Sequence, residues 1–244
     1  MKIPDDCSRS EDMPDSLSRL SILLGDESVQ KLRKSKVAIV GLGGVGSWAA
    51  EALARSGVGT IILVDGDSVA KSNLNRQLFS TIPELGIPKV EAAARRISTV
   101  SEHTFTITLH EFLTADNVNK LFTYEPEIVI DAIDRLDDKS ALLRECVQRG
   151  VPVVSSMGAG GKDAVRRIRT STLSSTEGCP LARKLRRMLK GTHIPDFVIA
   201  VYSSEPSQPP ISIDGDYVIG SAVWVTGVFG FTLAGEAVRL LLES

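Results

Sequence analysis

The sequence feature that most constrains the fold is a glycine-rich segment between an apolar run and an alanine-rich stretch. Residues 37–40 are all apolar, which is typical of a strand buried on both faces. Gly41, Gly43 and Gly46 then match the pattern G-x-G-x-x-G, and the alanine-rich stretch after them predicts a helix. Such a turn lets the backbone approach a phosphate, which binds to N–H groups at the start of the helix. We therefore predict a nucleotide-binding loop that also includes Gly44.

Further apolar runs predict a mostly parallel sheet around this loop. Strands are predicted at residues 60–64, 105–109, 127–130, 152–155 and 196–201, with helices between most of them. This pattern indicates an α/β, Rossmann-like, doubly wound fold with a C-terminal elaboration. We predict that residues 1–15 lack fixed structure and that 16–244 form one domain. Its nucleotide-binding core would span about 16–157 and its elaboration about 158–244.

Composition argues against several other classes of protein. The 244 residues are 43% hydrophobic and 24% charged with a net charge of −2, as in many globular proteins. Three scattered cysteines and three scattered histidines predict neither disulfides nor a zinc site, and we expect a cytoplasmic location. The polar N-terminus does not resemble a signal peptide. Residues 217–235 lack charge, but their glycines and threonines favour a buried strand, a turn and a core helix over a membrane span.

Two carboxylates follow the second predicted strand. Asp65 lies 19 residues after Gly46, where a Rossmann-type unit places an acid that binds a ribose hydroxyl. Asp67 comes two residues later and is a second candidate for nucleotide binding. The alternative for both residues is a turn with a helix cap.

Polar residues beyond this strand indicate a triphosphate rather than a dinucleotide. Residues 72–77 contain three amides and one arginine, of which Asn73, Arg76 and Gln77 are candidate ligands, because arginine and amides donate hydrogen bonds to phosphates. Lys89 follows a proline that is predicted to begin a helix, where the helix dipole disfavours a cation. A bound phosphate would relieve that conflict, although Glu91 is an alternative source of compensation.

A third pair of acids follows the strand at residues 127–130. Asp131 and Asp134 would lie at the carboxyl end of a parallel strand, where open sheets bind ligands. Two carboxylates that face phosphates there would suit Mg²⁺, which needs few protein ligands.

A basic segment indicates a nucleic-acid partner. Residues 162–190 carry nine lysines and arginines against two acids, a charge of +7 in a chain whose total is −2. We predict a helix at residues 180–190 with its leucines inward and its arginines outward. The candidate residues for binding a nucleic-acid backbone are Arg166, Arg167, Arg169, Arg183, Lys184, Arg186 and Arg187. A solvated basic helix is the alternative.

Together these motifs resemble the ThiF/MoeB superfamily of ubiquitin-activating-like adenylating enzymes. The matching segments are residues 41–46, 65–67, 72–77, 88–91 and 131–134, in the order and spacing of that superfamily. Within it, residues 18–25, 43–55, 155–160 and 180–183 most resemble the tRNA threonylcarbamoyladenosine dehydratases. The chain departs from that family's pattern where Cys179 replaces a common aspartate and where residues 162–165 lack the usual Asp-Pro.

The resemblance implies an enzyme that uses ATP to adenylate the carboxylate of threonylcarbamoyl-adenosine in tRNA and then cyclises it, releasing AMP and pyrophosphate. It implies that Asp65 holds the ribose and that Asp134 binds Mg²⁺. It also implies a homodimer in which Arg19 reaches the partner subunit's site as an arginine finger. The catalytic residues implied are Arg19, Arg76, Lys89 and Asp134, and the phosphates would be bound by Asn73, Arg76 and Lys89.

Other functions stay open on sequence alone. The main alternative is adenylation of the C-terminus of a ubiquitin-like sulfur-carrier protein, although such enzymes usually carry two C-x-x-C pairs. An NAD-dependent dehydrogenase would explain Gly41 to Asp65 but leaves Asn73, Arg76 and Lys89 without a role. A non-catalytic tRNA-binding scaffold is the third alternative. A sulfur-transfer or desulfurase system is a further hypothetical partner.

Overall fold

The computed structural model describes residues 13–213 and 215–243. Most of the segment predicted to lack fixed structure, residues 1–12, lies outside these ranges. The first described element is a 3₁₀ turn at Asp15–Leu17, and Leu17 is buried against Gly57. Leu17 is therefore the first core residue in the part of the chain that the structure describes.

The central sheet has seven strands in the order β3-β2-β1-β4-β5-β7-β6. Six strands are parallel, and β6 pairs with β7 in the antiparallel direction. The strands are β1 Lys36–Val40, β2 Thr60–Val64, β3 Phe105–Leu109, β4 Ile128–Asp131, β5 Val153–Ser156, β6 Ile168–Thr172 and β7 Ile199–Ser203. Because the chain winds outward from β1 and returns to β4 beside it, a crevice opens at the carboxyl ends of these two strands.

Helices cover both faces of the sheet. They are α1 Ser18–Leu24, α2 Asp26–Lys34, α3 Gly46–Arg55, α4 Lys89–Ser98, α5 Leu136–Gln148, α6 Pro180–Met188, α7 Ile194–Phe197 and α8 Val223–Glu243. Alternate residues of β1 enter different cores: Val37 and Ile39 pack with α3, α4 and α8, whereas Ala38 and Val40 pack with α5 and α6. The predicted α/β, doubly wound fold is confirmed.

Three local predictions differ from the structure. The predicted strand at residues 196–201 begins only at Ile199, because α7 occupies the residues before it. Strand β6 was not predicted, since its side chains are half-buried or exposed and give no apolar run. The helix predicted between the strands at residues 105–109 and 127–130 is the 3₁₀ helix Val118–Tyr124.

The uncharged segment at residues 217–235 forms a core helix but no buried strand. Its first residues belong to a two-stranded hairpin, β8 Ile211–Ile213 and β9 Asp216–Val218, whose β9 side chains are exposed because β9 pairs only with β8. Helix α8 is long and apolar enough to span a membrane by length and composition alone. Half of its most apolar window is buried against α3 and the sheet, as a core helix requires.

Candidate active site

The predicted glycine loop lies at the crevice between β1 and α3. Gly41 has a φ of +94°, and a Cβ there would lie 2.7 Å from the carbonyl oxygen of Ala132. A Cβ at Gly46 would overlap the carbonyl oxygen of Gly41. Both positions therefore require glycine, because strand β4 and the loop's own backbone pass too close for a side chain.

A single cavity of about 850 Å³ opens beside this loop. Ten of the residues predicted to bind nucleotide or metal line it: Gly41, Gly43, Gly44, Asp65, Asp67, Asn73, Arg76, Gln77, Lys89 and Asp134. Gly46 is buried behind the loop. We call the part that these residues line the glycine-loop half. The structure thus brings together side chains from β2, β4, α4 and the segment after β2.

A buried carboxylate connects the glycine loop to the turn after β2. Asp65 accepts hydrogen bonds from the N–H groups of Leu42 at 2.6 Å and Asp67 at 2.8 Å. Lys89 Nζ lies 2.8 Å from Asp67 Oδ2 and 3.8 Å from Asp65 Oδ1. Burial raises the pKa of Asp65, and the Lys89 ammonium and the two N–H groups oppose this rise. The cation at the start of α4 is therefore compensated within the protein by Asp67 and Asp65, so its position does not by itself require a bound phosphate or Glu91.

The segment after β2 arranges its donors along the same wall. Asn73 Oδ1 accepts the N–H of Ala70, which closes a 3₁₀ turn and leaves the Asn73 amide N–H₂ at the cavity. Arg76 Nη1 donates to the carbonyl oxygen of Ser72 at 2.7 Å and to Asn75 Oδ1 at 3.0 Å. A Cβ at Gly44 would lie 3.2 Å from Arg76 Cγ, so the stem of this arginine packs directly against the glycine loop.

The prediction that two carboxylates face the phosphates after β4 is wrong for Asp131. This side chain is fully buried and pairs with the equally buried Lys139, 2.6 Å from Nζ to Oδ2. Asp131 Oδ2 also accepts the hydroxyl of Ser155 at 2.6 Å, and Oδ1 accepts the N–H of Ile133 at 3.1 Å. Asp134 alone of the predicted pair lines the cavity. A carboxylate at a strand end can point into the core or into the cavity, and here the buried ammonium of Lys139 holds Asp131 in the core.

Sequence reasoning missed Lys139 as the partner of Asp131. Lys139 precedes Leu142, Leu143 and Cys146 by three, four and seven residues, so it lies on the buried face of α5. A cation on an apolar helical face was the available signal, because such a group requires a buried anion. The same burial raises the pKa of the Cys146 thiol, to which the nearby Asp131 charge contributes.

The opposite wall comes from the C-terminal part of the chain. Residues 157–160, Cys179, Pro180, Leu181, Lys184, residues 207–210 and Ile219 form it, and we call this the α6 half. Its two loops are joined by Lys162, whose buried Nζ donates to the carbonyl oxygens of Ser203 and Glu205. Burial lowers the pKa of Lys162. Glu205 in turn accepts the N–H of Ala164 at 3.0 Å.

The predicted tRNA-binding residues divide between two elements. Arg166 and Arg167 precede β6 and Arg169 lies on it, and all three are exposed at the edge of the sheet. On α6, Arg183, Lys184 and Arg187 are exposed. The prediction that Arg186 points outward is wrong, because this half-buried side chain donates to the carbonyl oxygen of Leu173 and to the hydroxyl of Thr176.

Two further predictions concern groups away from these walls. Arg19 lies exposed on α1 and does not line the cavity of its own chain. Among residues 13–213 and 215–243, no three His, Cys, Asp or Glu side chains are grouped as a metal site would require. Asp134, the predicted metal ligand, is therefore not part of such a group.

The chain is similar to known proteins in sequence and in fold. The model of the ThiF family matches residues 17–244. A tRNA threonylcarbamoyladenosine dehydratase of Bacillus subtilis is 40% identical over 188 residues, covering 77% of this chain and 74% of that protein. The Escherichia coli protein of the same name is 34% identical over 247 residues and covers 90% and 91%. A crystal structure of the E. coli enzyme, TcdA, in complex with ATP has a TM-score of 0.87 at 34% identity, over 96% of both chains.

Proposed function

Because the chain belongs to the ThiF family, we propose that it is an ATP-dependent tRNA threonylcarbamoyladenosine dehydratase. The observation that carries this proposal is that one cavity brings together Gly41, Asp65, Arg76 and Asp134. Relatives that match over most of both chains bear the dehydratase name, which favours this function over adenylation of a sulfur carrier. Arg76 at the glycine loop also argues against an NAD-dependent dehydrogenase, which needs no such cation there.

ATP fits the glycine-loop half. Gly41, Gly43 and Gly44 line the cavity at the start of α3, where backbone N–H groups bind phosphates. Arg76, Lys89 and the amides of Asn73 and Gln77 supply donors along the opposite wall. We assign the ribose to Asp65, which the N–H groups of Leu42 and Asp67 hold in place.

We propose that Asp134 is the protein ligand of Mg²⁺. Asp134 is exposed in the cavity and has no ion-pair partner among the described residues, whereas Asp131 is neutralised by Lys139. Mg²⁺ commonly takes one or two carboxylates and completes its shell with water and phosphate oxygens. When bound, the ion would neutralise phosphate charge at the reacting α-phosphate.

The reaction needs activation rather than a protein nucleophile. The substrate carboxylate attacks the α-phosphorus of ATP, which forms an acyl-adenylate and releases pyrophosphate. Ring closure within the threonylcarbamoyl group then expels AMP, which carries away the carboxylate oxygen. The nucleoside therefore loses one water in total, because its carboxylate oxygen leaves as part of AMP rather than as hydroxide. The protein contributes position and charge neutralisation, chiefly through Arg76, Lys89 and Asp134.

We further propose a homodimer in which Arg19 completes the site of the other subunit. Arg19 is exposed and lies outside its own chain's cavity. Exposed apolar side chains on α1 and α8, among them Leu23, Trp224 and Phe231, offer surface for such contacts. The location in the cytoplasm and an association with a sulfur-transfer or desulfurase system stay predictions.

The tRNA surface that we propose runs along α6 and the β6 edge. Arg166, Arg167, Arg169, Arg183 and Arg187 are exposed there, next to the α6 half of the cavity. Exposed cations of this kind neutralise phosphates of a nucleic-acid backbone. Arg186 is excluded from this surface because its guanidinium is used inside the protein.

Mass measurement of the modified nucleoside tests the proposal. The protein is incubated with ATP, magnesium and tRNA that carries the threonylcarbamoyl group, and we expect the nucleoside to lose the mass of one water while AMP accumulates. tRNA of the same sequence without the group is the control and should yield no AMP. AMP formed only upon addition of a sulfur-carrier protein would contradict the proposal and support the alternative.

A further inference from the structure

The cations that line the cavity differ in what they pair with. Four cations line it: Arg76, Lys89, Arg135 and Lys184. Lys89 pairs with Asp67, and Arg135 Nε lies 2.9 Å from Asp138 Oδ2 while its guanidinium stacks on Phe112. Arg76 and Lys184 have no carboxylate partner among the described residues. The first faces the glycine loop, and the second lies on the opposite wall.

Lys184 is also the one charged residue among the described residues that form the α6 half. The other described lining residues of the α6 half are apolar or neutral: residues 157–160, Cys179, Pro180, Leu181, residues 207–210 and Ile219. The five acids that line the cavity are Asp65, Asp67, Glu111, Asp134 and Asp138, and none of them lies on α6 or on the two loops of this half. The α6 half therefore presents one uncompensated positive charge to whatever occupies it.

Helical geometry explains why Lys184 faces inward while its neighbours do not. Pro180 and Leu181 line the cavity, and Lys184 follows them by four and three residues on the same face of α6. Arg183 and Arg187 are exposed but do not line the cavity. Consecutive residues of one helix thus present charge to two different surfaces.

We propose that Lys184 binds the carboxylate that is to be adenylated, rather than the phosphate backbone of the tRNA. This inference rests on the proposed function. Attack on ATP brings a carboxylate next to a triphosphate, and the repulsion between these anions must be offset on both sides. Arg76 offsets the phosphate side. Lys184 is the cation on the side from which the acceptor must approach, where no protein carboxylate competes for it.

The use of lysine rather than arginine has a chemical consequence. A guanidinium grips both oxygens of a carboxylate in a fork, whereas an ammonium is a point charge that binds one oxygen. One-point binding leaves the second oxygen free to attack phosphorus. Lys184→Arg therefore keeps the charge, but its guanidinium should bind both carboxylate oxygens and leave neither free to attack phosphorus.

Equilibrium binding of two tRNAs tests the proposal. They share one sequence, and only one carries the threonylcarbamoyl group. We expect the wild-type chain to bind the modified tRNA more tightly, and Lys184→Ala to lower affinity for it about 10- to 100-fold, as loss of a charged hydrogen bond does. Affinity for the unmodified tRNA should change little.

Arg183→Ala is the matched control. It removes one cation from the same helix and should weaken binding of both tRNAs by the same factor, which leaves their ratio unchanged. ATP affinity should be unaltered in Lys184→Ala, which shows that the glycine-loop half is intact. Lys184→Arg should lower kcat at least tenfold with little change in KM for the tRNA.

The outcomes separate this inference from the proposed function. If the wild-type chain produces no dehydrated nucleoside, the proposed function fails. If it turns over but Lys184→Ala keeps the preference for modified tRNA, or if the wild-type chain shows no preference, the assignment of Lys184 is overturned. Full activity of Lys184→Arg would overturn the argument from one-point binding.

Discussion

The two halves of the cavity are built in different ways. In the glycine-loop half, strand ends hold the charged groups, and Lys89 pairs there with Asp67 and Asp65. A second pair, Asp131 with Lys139, is fully buried at the end of β4, from which Asp134 reaches the cavity. The α6 half consists of two loops and one helix, and its one cation, Lys184, has no ion-pair partner among the described residues. A charge paired inside the chain maintains geometry, whereas a charge left unpaired in a cavity is available to a ligand.

The largest expected effect comes from the same substitution made on both sides of this comparison. Lys139→Met removes one partner of a fully buried ion pair and should lower the free energy of unfolding by about 3–5 kcal/mol. Lys184→Met changes an exposed side chain and should alter it by no more than about 0.5 kcal/mol. Urea denaturation of both variants measures the difference.

A double substitution shows what the Lys139 effect consists of. In Asp131→Asn/Lys139→Met no charge remains buried, so most of the lost stability should return. Equal stability of Lys139→Met and the wild-type chain would break the comparison, since the glycine-loop half would then not depend on its internal pairing.

The next effect in size concerns turnover. Arg76→Ala removes the unpaired cation opposite Gly44, and the rate of dehydration should fall about 100- to 1000-fold, the usual range for loss of one donor to a developing charge. Arg95→Ala, an exposed arginine on α4 with two surface ion pairs, is the control and should leave the rate unchanged. A rate loss below tenfold in Arg76→Ala would remove this residue from the catalytic set.

A smaller effect tests whether the α6 half is held together independently. Lys162→Met leaves the carbonyl oxygens of Ser203 and Glu205 without their buried donor, which should cost about 1–3 kcal/mol of unfolding free energy. ATP affinity should stay within twofold of the wild-type value, because the glycine-loop half lies on other elements. Calorimetric titration with ATP provides the measurement, and a large loss of affinity would show that the halves are coupled.

The smallest effect concerns the outer face of α6. Each of Arg183→Ala and Arg187→Ala should reduce the slope of log affinity for tRNA against log salt by about one. Arg186→Ala is the contrast within the same helix and should change the slope little, because its guanidinium binds Leu173 and Thr176. Equal slope changes for all three would show that position on the helix does not matter.

The sequence predicted the glycine-loop half better than the α6 half, for a physical reason. Gly41, Asp65 and Lys89 follow strand ends at fixed spacings, and a parallel sheet brings those ends together. Residues 157–160 and 207–210 converge through loop hydrogen bonds, such as that from the Gln208 N–H to the Gly161 carbonyl, which no periodicity encodes.

The direction of individual side chains was harder to predict than their position. Asp131 ends β4 and Asp134 follows it, but only the burial of Lys139 decides which of them reaches the cavity. Arg186 belongs to the same basic run as Arg183 and turns inward because a carbonyl and a hydroxyl lie within its reach. Strand β6 escaped prediction because an edge strand that is open to solvent needs no apolar run.

The division of charge along α6 makes that helix a ruler for its substrate, if the proposed function holds. Arg183 and Lys184 are joined by one peptide bond, so a tRNA gripped outside and a carboxylate gripped inside stand at a distance that the rigid backbone fixes. If the side chain on the modified base were shorter or longer by a few bonds, its carboxylate would lie too far from Lys184 or beyond it. Length, as well as charge, would then select which modified tRNA is processed.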